Sequence, residues 1–107
     1  MNHSAHIAID EYVLDVLMPD LVRHDHSAPA FLVYLVLWTA LFRAGERRIH
    51  MSLSQIAEAS GLSKSAVQKA VRLLTRRHLI QIRRHSLTST PEYELVRHWL
   101  RRRAYRS

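Results

Sequence analysis

The fold of this chain is decided by residues 53–74, which read LSQIAEASGLSKSAVQKAVRLL. Ser52 and Gln55 have the spacing of a capping box, so a short helix should follow Ser52. Gly61 should end that helix, because positive φ in a tight turn suits glycine. Ser63 then stands where a serine caps the start of a second, longer helix. The stretch therefore predicts two helices joined by a tight turn.

Small and branched residues in the same stretch predict how these helices pack. The second helix should run from residue 64 to about Arg77. Ala57 is small, as a close crossing of two helices requires. The wedge between the helices should be filled by apolar side chains, namely Ile56, Leu62, Val67 and Val71.

A long apolar helix is predicted before this helix pair. Ser27 has the form of its cap, Pro29 falls in its first turn, and Gly45 closes it. Residues 30–43 are apolar on nearly every face, whereas a helix at the edge of a small domain buries only about half of its circumference. The other half must be covered by the N-terminal helix, by a second subunit, or by both.

The N-terminal region is predicted to contain an amphipathic helix within residues 7–22. Its apolar side chains recur at helical spacing, at Ile9, Val13, Val16 or Leu17, and Leu21. Pro19 should kink or end this helix near Met18, because proline disrupts a helix interior.

Short extended pieces follow the helices. Residues 48–51 form one, residues 79–83 alternate as a strand does, and residues 92–95 alternate again after a polar turn at 85–91. The chain then divides into an N-terminal extension (1–28), a central domain (29–96) and a basic tail (97–107), which could form a short helix.

The order helix, short strand, helix, turn, helix and hairpin resembles the winged helix-turn-helix. Residues 53–74 closely resemble this motif in transcription regulators of the MarR and GntR kind, and they are similar to the DNA-binding heads of phage and plasmid replication proteins. The resemblance covers roughly residues 31–95. It implies a mainly α fold with a small β-hairpin and, here, an extra N-terminal helix. His78 is a departure, because the family usually has glycine at the end of the recognition helix.

The resemblance implies DNA contacts from the second helix of the motif and from the wing. A helical wheel places one group of polar side chains opposite the apolar side, and these would read base edges: Ser65, Gln68, Lys69, Arg72 and Arg76. Ser63 and Lys64, at the helix start, are placed for phosphate. The wing would contribute Arg83, Arg84, His85, Thr88 and Ser89.

Charge supports a polyanionic partner. The net charge is +7, yet residues 1–42 hold one basic and five acidic residues while residues 43–107 hold fifteen basic and four acidic ones. A basic half points to nucleic acid first and a membrane surface second. The tail arginines are open to two readings, phosphate contacts or a solubilising end, and they are Arg97, Arg101, Arg102, Arg103 and Arg106.

Other classes of protein fit less well. No signal peptide is recognisable, and the longest apolar run, residues 30–42, is shorter than the roughly 20 residues of a membrane span, so a cytoplasmic protein is expected. The chain has no cysteine and no phosphate loop, nucleophile elbow or zinc-protease motif, so we expect no enzyme and no cofactor.

Two further groups of residues have alternative readings. Histidines near Asp20 and Asp25 could hold a divalent ion, but surface histidines are favoured and no metal site is predicted; they are His3, His6, His24 and His26. Tyr34 and Trp38 could line a ligand pocket, although packing in a core or dimer is favoured.

These observations predict sequence-specific binding of double-stranded DNA by a small transcriptional regulator. One small domain makes few base contacts, so a homodimer on two half-sites is expected. Its interface would use surplus apolar residues, namely Val13, Leu17, Phe31, Tyr34, Leu35 and Trp38. The alternatives are a replication or plasmid-maintenance protein, and a winged helix used only for protein contacts.

Overall fold

The computed structural model describes residues 5–100. Within them the chain is mainly helical and has one small antiparallel sheet. Two π-helical turns, Val13–Leu17 (π1) and Asp20–His24 (π2), lie within a helical stretch that spans residues 11–24, which we call the N-terminal segment. The remaining elements follow in chain order: α1 (Ala28–Ala44), β1 (Arg48–His50), α2 (Leu53–Ser60), α3 (Lys64–Arg76), β2 (Ile80–Arg83) and β3 (Glu92–Leu95).

The N-terminal segment covers α1 from within the same chain. Val13, Leu17 and Leu21 are buried at four-residue spacing in the core that includes α1. Pro19 does not end the helical conformation but directly precedes π2. A proline inside a helical stretch removes one backbone hydrogen bond, and the wider π-helical turns lie on both sides of Pro19. Of the two covers expected for α1, the structure therefore supplies the first.

The six residues predicted for a dimer interface lie in or against this core. Five are buried, and Leu35 is half-buried and packs against the others; the five are Val13, Leu17, Phe31, Tyr34 and Trp38. Their apolar surface is used within one chain, so it is not exposed to a partner. That assignment needs correction, because an apolar stripe shows that a helix must be covered but not what covers it.

The ends of α1 are fixed by local chemistry, as predicted. The Ser27 hydroxyl accepts a hydrogen bond from the Ala30 N–H at 3.1 Å, and Pro29 lies in the first turn. Gly45 adopts a left-handed conformation with φ +65°, and its N–H bonds the Leu41 carbonyl at 2.9 Å.

The pair α2 and α3 has the predicted tight turn. Ser52 and Gln55 form a complete capping box, with bonds of 2.8 and 3.1 Å. Gly61 turns the chain with φ +78°. Ile56 and Val67 are fully buried between the helices, and both helices pack on α1. This packing holds α3 at one side of the core.

The sheet has three strands in the order β1-β3-β2, all antiparallel. The predicted hairpin of β2 and β3 is confirmed, and the extended piece at β1 adds a third strand to it. Tyr93 of β3 points into the core and pairs with Ile49 on one side and Ile82 on the other. The loop between β2 and β3, residues 84–91, is called the hairpin loop below.

The last described residues are part of the folded body. Trp99 is buried, stacks on Tyr12 at a ring distance of 4.5 Å, and donates to Asp10 at 2.8 Å. Arg97 bonds the same carboxylate at 2.7 Å. The predicted tail therefore begins with residues that tie the two ends of the described chain together, while the predictions for Arg101, Arg102, Arg103 and Arg106 fall outside the described residues.

Candidate nucleic-acid interface

Helix α3 has one buried and one exposed face. Its apolar side faces the core and consists of Val67, Ala70, Val71 and Leu74. The five side chains expected to read bases are all exposed on the helix: Ser65, Gln68, Lys69, Arg72 and Arg76. Helical periodicity places these polar side chains away from the core. The face is therefore accessible to a large ligand.

Ser63 has a structural role at the start of α3. Its hydroxyl oxygen accepts the Ala66 N–H at 3.1 Å and lies 3.4 Å from the Ser65 hydroxyl. The hydroxyl thus satisfies one of the free amides at the helix start, where an incoming phosphate would otherwise bind. Lys64 is exposed beside it and remains available.

The end of α3 is tied to the N-terminal segment. The Arg77 guanidinium bonds Asp20 of this segment through Nη2 and Asp25, the residue that follows the segment, through Nη1. Hydrogen bonding to Asp20 raises the pKa of Arg77, and the charges of both carboxylates act in the same direction. His78 follows with φ +57°, so histidine takes the left-handed position expected of glycine. These contacts fix the point at which the chain leaves α3 for β2.

The hairpin loop is ordered by its own hydroxyl groups. Ser89 Oγ accepts the N–H groups of His85 and Ser86 at 3.2 and 3.0 Å and donates to the Ser86 carbonyl at 2.9 Å. Ser86 Oγ in turn accepts the Ser89 N–H at 3.1 Å. Ser89, predicted to contact DNA, is half-buried and engaged inside the loop, so its assignment changes to a structural one.

The other predicted hairpin residues are exposed. They are Arg83, Arg84, His85 and Thr88. Arg83 ends β2 on the outer face of the sheet, opposite Glu92 in the strand register. Arg84 begins the loop. Burial raises the pKa of Tyr93, and the charge of Arg84 opposes this rise by a smaller amount. Since β2 contacts α3, the hairpin is joined directly to the helix.

Basic side chains fall into two groups. Several arginines outside α3 and the hairpin are paired with acids, Arg47 and Arg48 with Glu94 at 3.4 and 3.1 Å, and Arg97 with Asp10. Within residues 5–100, no ion pair involves the basic residues of α3 and the hairpin, which are Lys64, Lys69, Arg72, Arg76, Arg83 and Arg84. Arg23 and Arg43 are exposed and unpaired in the same part of the chain. Six unpaired cations are thus concentrated on two adjoining elements.

Sequence reasoning missed the ion pairs that occupy arginines. Arg77 and Asp25 are 52 positions apart, and Arg97 and Asp10 are 87 apart. No local pattern connects residues at such separations. Sequence reasoning also missed Leu87, the lone apolar residue of the polar hairpin loop, although that contrast is visible in the sequence.

Tyr34 and Trp38 are the two aromatic residues for which a ligand pocket was the alternative to core packing. Tyr34 and Trp38 pack together with a ring distance of 6.1 Å, and Trp38 donates to the Ala8 carbonyl at 2.8 Å. Trp38 also lines a cavity of about 590 Å³, together with Phe42, Leu95 and others. Burial raises the pKa of Tyr34. These two rings are mainly core residues, as favoured.

The histidines of the N-terminal region do not assemble with acids into a metal-binding group among the residues described. Asp20 and Asp25 instead bond Arg77, while His24 lies 3.2 Å from Asp25. His3 lies outside the described part of the chain. Among the described helices, none is long and apolar enough to cross a membrane.

Comparison of the chain with protein-family models, with curated proteins and with solved structures found no match in any of the three. The assignment of function therefore depends on the geometry and charge of the residues above.

Proposed function

We propose that this protein is a winged helix-turn-helix protein that binds double-stranded DNA with sequence specificity. The order α1, β1, α2, α3, β2, β3 and the strand order β1-β3-β2 are those expected of that fold. In this proposal α3 is the recognition helix and the hairpin loop is the wing. The protein would act as a small cytoplasmic transcriptional regulator without catalytic activity.

The observation that carries the proposal is the position of the unpaired cations. Four arginines elsewhere in the protein are paired with acids, and two exposed ones, Arg23 and Arg43, are isolated from one another on other helices. The six on α3 and the hairpin have no acid partner among the described residues, and they lie on the elements that this fold presents to DNA. Phosphate groups would neutralise them and release counterions, which stabilises the complex.

The exposed face of α3 carries the side chains that can read sequence. Gln68 can bond adenine through two hydrogen bonds, and Arg72 or Arg76 can bond guanine in the same way. An α-helix fits the major groove of B-DNA, so these contacts are sterically possible. Lys64 at the start of α3 and Arg84 in the loop would contact phosphate and set the register.

A homodimer remains part of the proposal, but on a different surface. The N-terminal segment keeps a second apolar stripe beside the buried one, with Leu14, Met18 and Val22 each 40–43% exposed. This stripe has the same four-residue spacing as the buried residues. A second copy of the chain would cover it and place two α3 helices on two half-sites.

The dimer is tested by Met18→Glu, which places a charge in the stripe. Light scattering should show a dimer for the wild type and a monomer for the variant. Phe42→Glu is the matched control, because Phe42 on α1 is exposed to the same extent, 40%, outside the stripe. A wild-type monomer at micromolar concentration would exclude the dimer.

DNA binding is tested by selection from a random double-stranded pool at about 150 mM salt. Enrichment of an inverted repeat with half-sites about 10 base pairs apart supports a dimeric regulator. Direct repeats would favour an origin-binding replication protein instead. Absence of any binding would overturn the proposal and favour a winged helix that only docks proteins.

A further inference from the structure

Leu87 is the most exposed large apolar side chain among the described residues. It is 96% exposed, whereas the other large exposed apolar residues lie between 36% and 43%. A leucine that contacts almost nothing contributes little to the stability of the fold. Its side chain is therefore free to contact a partner outside the chain.

The hairpin loop holds Leu87 at its tip. Ser86 to Ser89 form a turn in which the Ser89 N–H bonds the Ser86 carbonyl at 3.4 Å, so Leu87 and Thr88 are its two central residues. The hydroxyls of Ser86 and Ser89 bond the backbone on both sides of them. A turn closed by these bonds presents the leucine with less loss of conformational entropy on binding than a free loop would.

The surroundings of Leu87 are basic and polar. Residues 83–91 include two arginines and a histidine and no acid. A protein interface needs an apolar patch with a surrounding rim, and its usual size is above about 1,000 Å². One leucine among cations does not form such a patch. A single apolar tip between cations is instead the form of a minor-groove wedge, in which arginines contact the backbone and an apolar side chain enters a base step.

We propose that Leu87 inserts into the minor groove of the bound duplex and partly unstacks one base step, bending the DNA. The inference rests on the proposed function, since it assigns a mechanism to the same DNA-binding surface. It implies that part of the sequence preference comes from deformability. Pyrimidine–purine steps are the most easily unstacked, so the selected site should have such a step under the hairpin.

The test measures affinity and bending together. A duplex from the random-pool selection, or a mixed-sequence duplex if no motif is enriched, carries a donor and an acceptor dye at its ends. Wild-type protein should shorten the end-to-end distance by an amount that corresponds to a bend of roughly 20–90°. Leu87→Ala should remove most of the bend and weaken binding by roughly tenfold, because the burial of one leucine is lost. Leu87→Met should keep both properties.

The matched control is Thr90→Ala in the same loop, an exposed residue that is not assigned to the DNA interface, and this variant should bind and bend as the wild type does. Thermal unfolding of Leu87→Ala should match the wild type, since the side chain lies outside the core. Equal bending and affinity of Leu87→Ala and wild type would overturn the wedge and leave DNA binding intact. Binding without a bend by the wild type would overturn it as well.

Two outcomes separate this inference from the proposed function. If the wild type binds no duplex, the proposed function fails and the wedge fails with it. If the wild type binds vesicles of anionic phospholipid and Leu87→Ala does not, while both bind DNA equally, the tip is a membrane contact and the wedge is wrong.

Discussion

Arg76 and Arg77 are consecutive residues at the end of α3, yet they differ in burial and in ion-pair partners. Arg77 is half-buried and bonds Asp20 and Asp25, at the end of the N-terminal segment and just after it, while Arg76 is exposed and has no ion-pair partner among the described residues. The same contrast separates Arg47, Arg48 and Arg97 from the arginines of α3 and the hairpin. A count of basic residues therefore overstates the size of the interface. The unpaired cations on α3 and the hairpin define the proposed interface better.

The largest expected effect is the loss of DNA affinity when unpaired cations of α3 are removed. Replacing Lys69, Arg72 and Arg76 together by alanine should reduce affinity for the selected duplex by roughly 100-fold or more, since each base contact is worth about 1–3 kcal/mol. The free energy of unfolding should change little, because these side chains are exposed. Fluorescence anisotropy measures the first quantity and urea denaturation the second. Arg43→Ala is the control for loss of an exposed, unpaired arginine on α1.

Arg77→Ala should lower the stability and leave the DNA affinity nearly unchanged. Loss of the guanidinium leaves Asp20 and Asp25 close together without their cation, and the free energy of unfolding should fall by about 1–2 kcal/mol. Arg77→Lys should restore only part of it, because a single ammonium nitrogen replaces the two guanidinium nitrogens that reach the two carboxylates separately. DNA affinity of the folded variant should change less than about threefold. Loss of binding without loss of stability would place Arg77 in the interface and break the comparison.

Arg72 and Arg84 sharpen the comparison within the unpaired group. Arg72→Ala should cost about 1–3 kcal/mol of binding free energy on the selected site and relax the preference at one base pair. Arg84→Ala should weaken binding to all sequences alike, because a phosphate contact carries no sequence information. Repeating the selection with each variant checks this. Equal, sequence-independent losses would show that Arg72 does not read a base.

The smallest effect is expected from Tyr34 in the core, near the ion pair of Arg97 and Asp10. Tyr34 Oη is buried and has no hydrogen-bond partner among the described residues. Tyr34→Phe should therefore raise the free energy of unfolding by up to about 1 kcal/mol at neutral pH. A decrease in stability would show that the hydroxyl has a bonding role.

The dependence of stability on alkaline pH provides a second test of Tyr34. Burial raises the pKa values of Tyr34 and Tyr93, so the folded state favours the neutral phenols. Stability should be fully present below the unfolded tyrosine pKa of about 10 and be lost as the pH rises through the raised folded values. Tyr34→Phe should make this loss smaller. Unfolding curves between neutral and alkaline pH measure it.

Much of the fold could be predicted because its signals are local. The cap at Ser63 and the apolar spacing of Val67, Val71 and Leu74 give both the start and the buried face of α3. The capping box at Ser52 and the turn at Gly61 do the same for α2. Each signal acts within a few residues, so one sequence contains it.

What the sequence did not reveal depends on contacts between distant residues. The apolar faces of α1 and the N-terminal helix indicated that a cover was needed, but only the tertiary structure shows that each covers the other. For the same reason Val13 and Tyr34 were expected at a dimer interface. The roles of Arg77 and Arg97 depend on aspartates more than 50 positions away. Exposed arginines and paired arginines look alike in a sequence.

The proposed function requires that the unpaired cations of α3 and the hairpin bind DNA phosphates and bases. The most direct test is the dissociation constant for the selected duplex between about 50 and 200 mM salt, for the wild type, Arg84→Ala and Arg77→Ala. We expect a log–log slope steeper than about −3 for the wild type, a slope less steep by about 0.9 for Arg84→Ala, and an unchanged slope for Arg77→Ala. No binding, or a slope that falls with Arg77→Ala and not with Arg84→Ala, would contradict it.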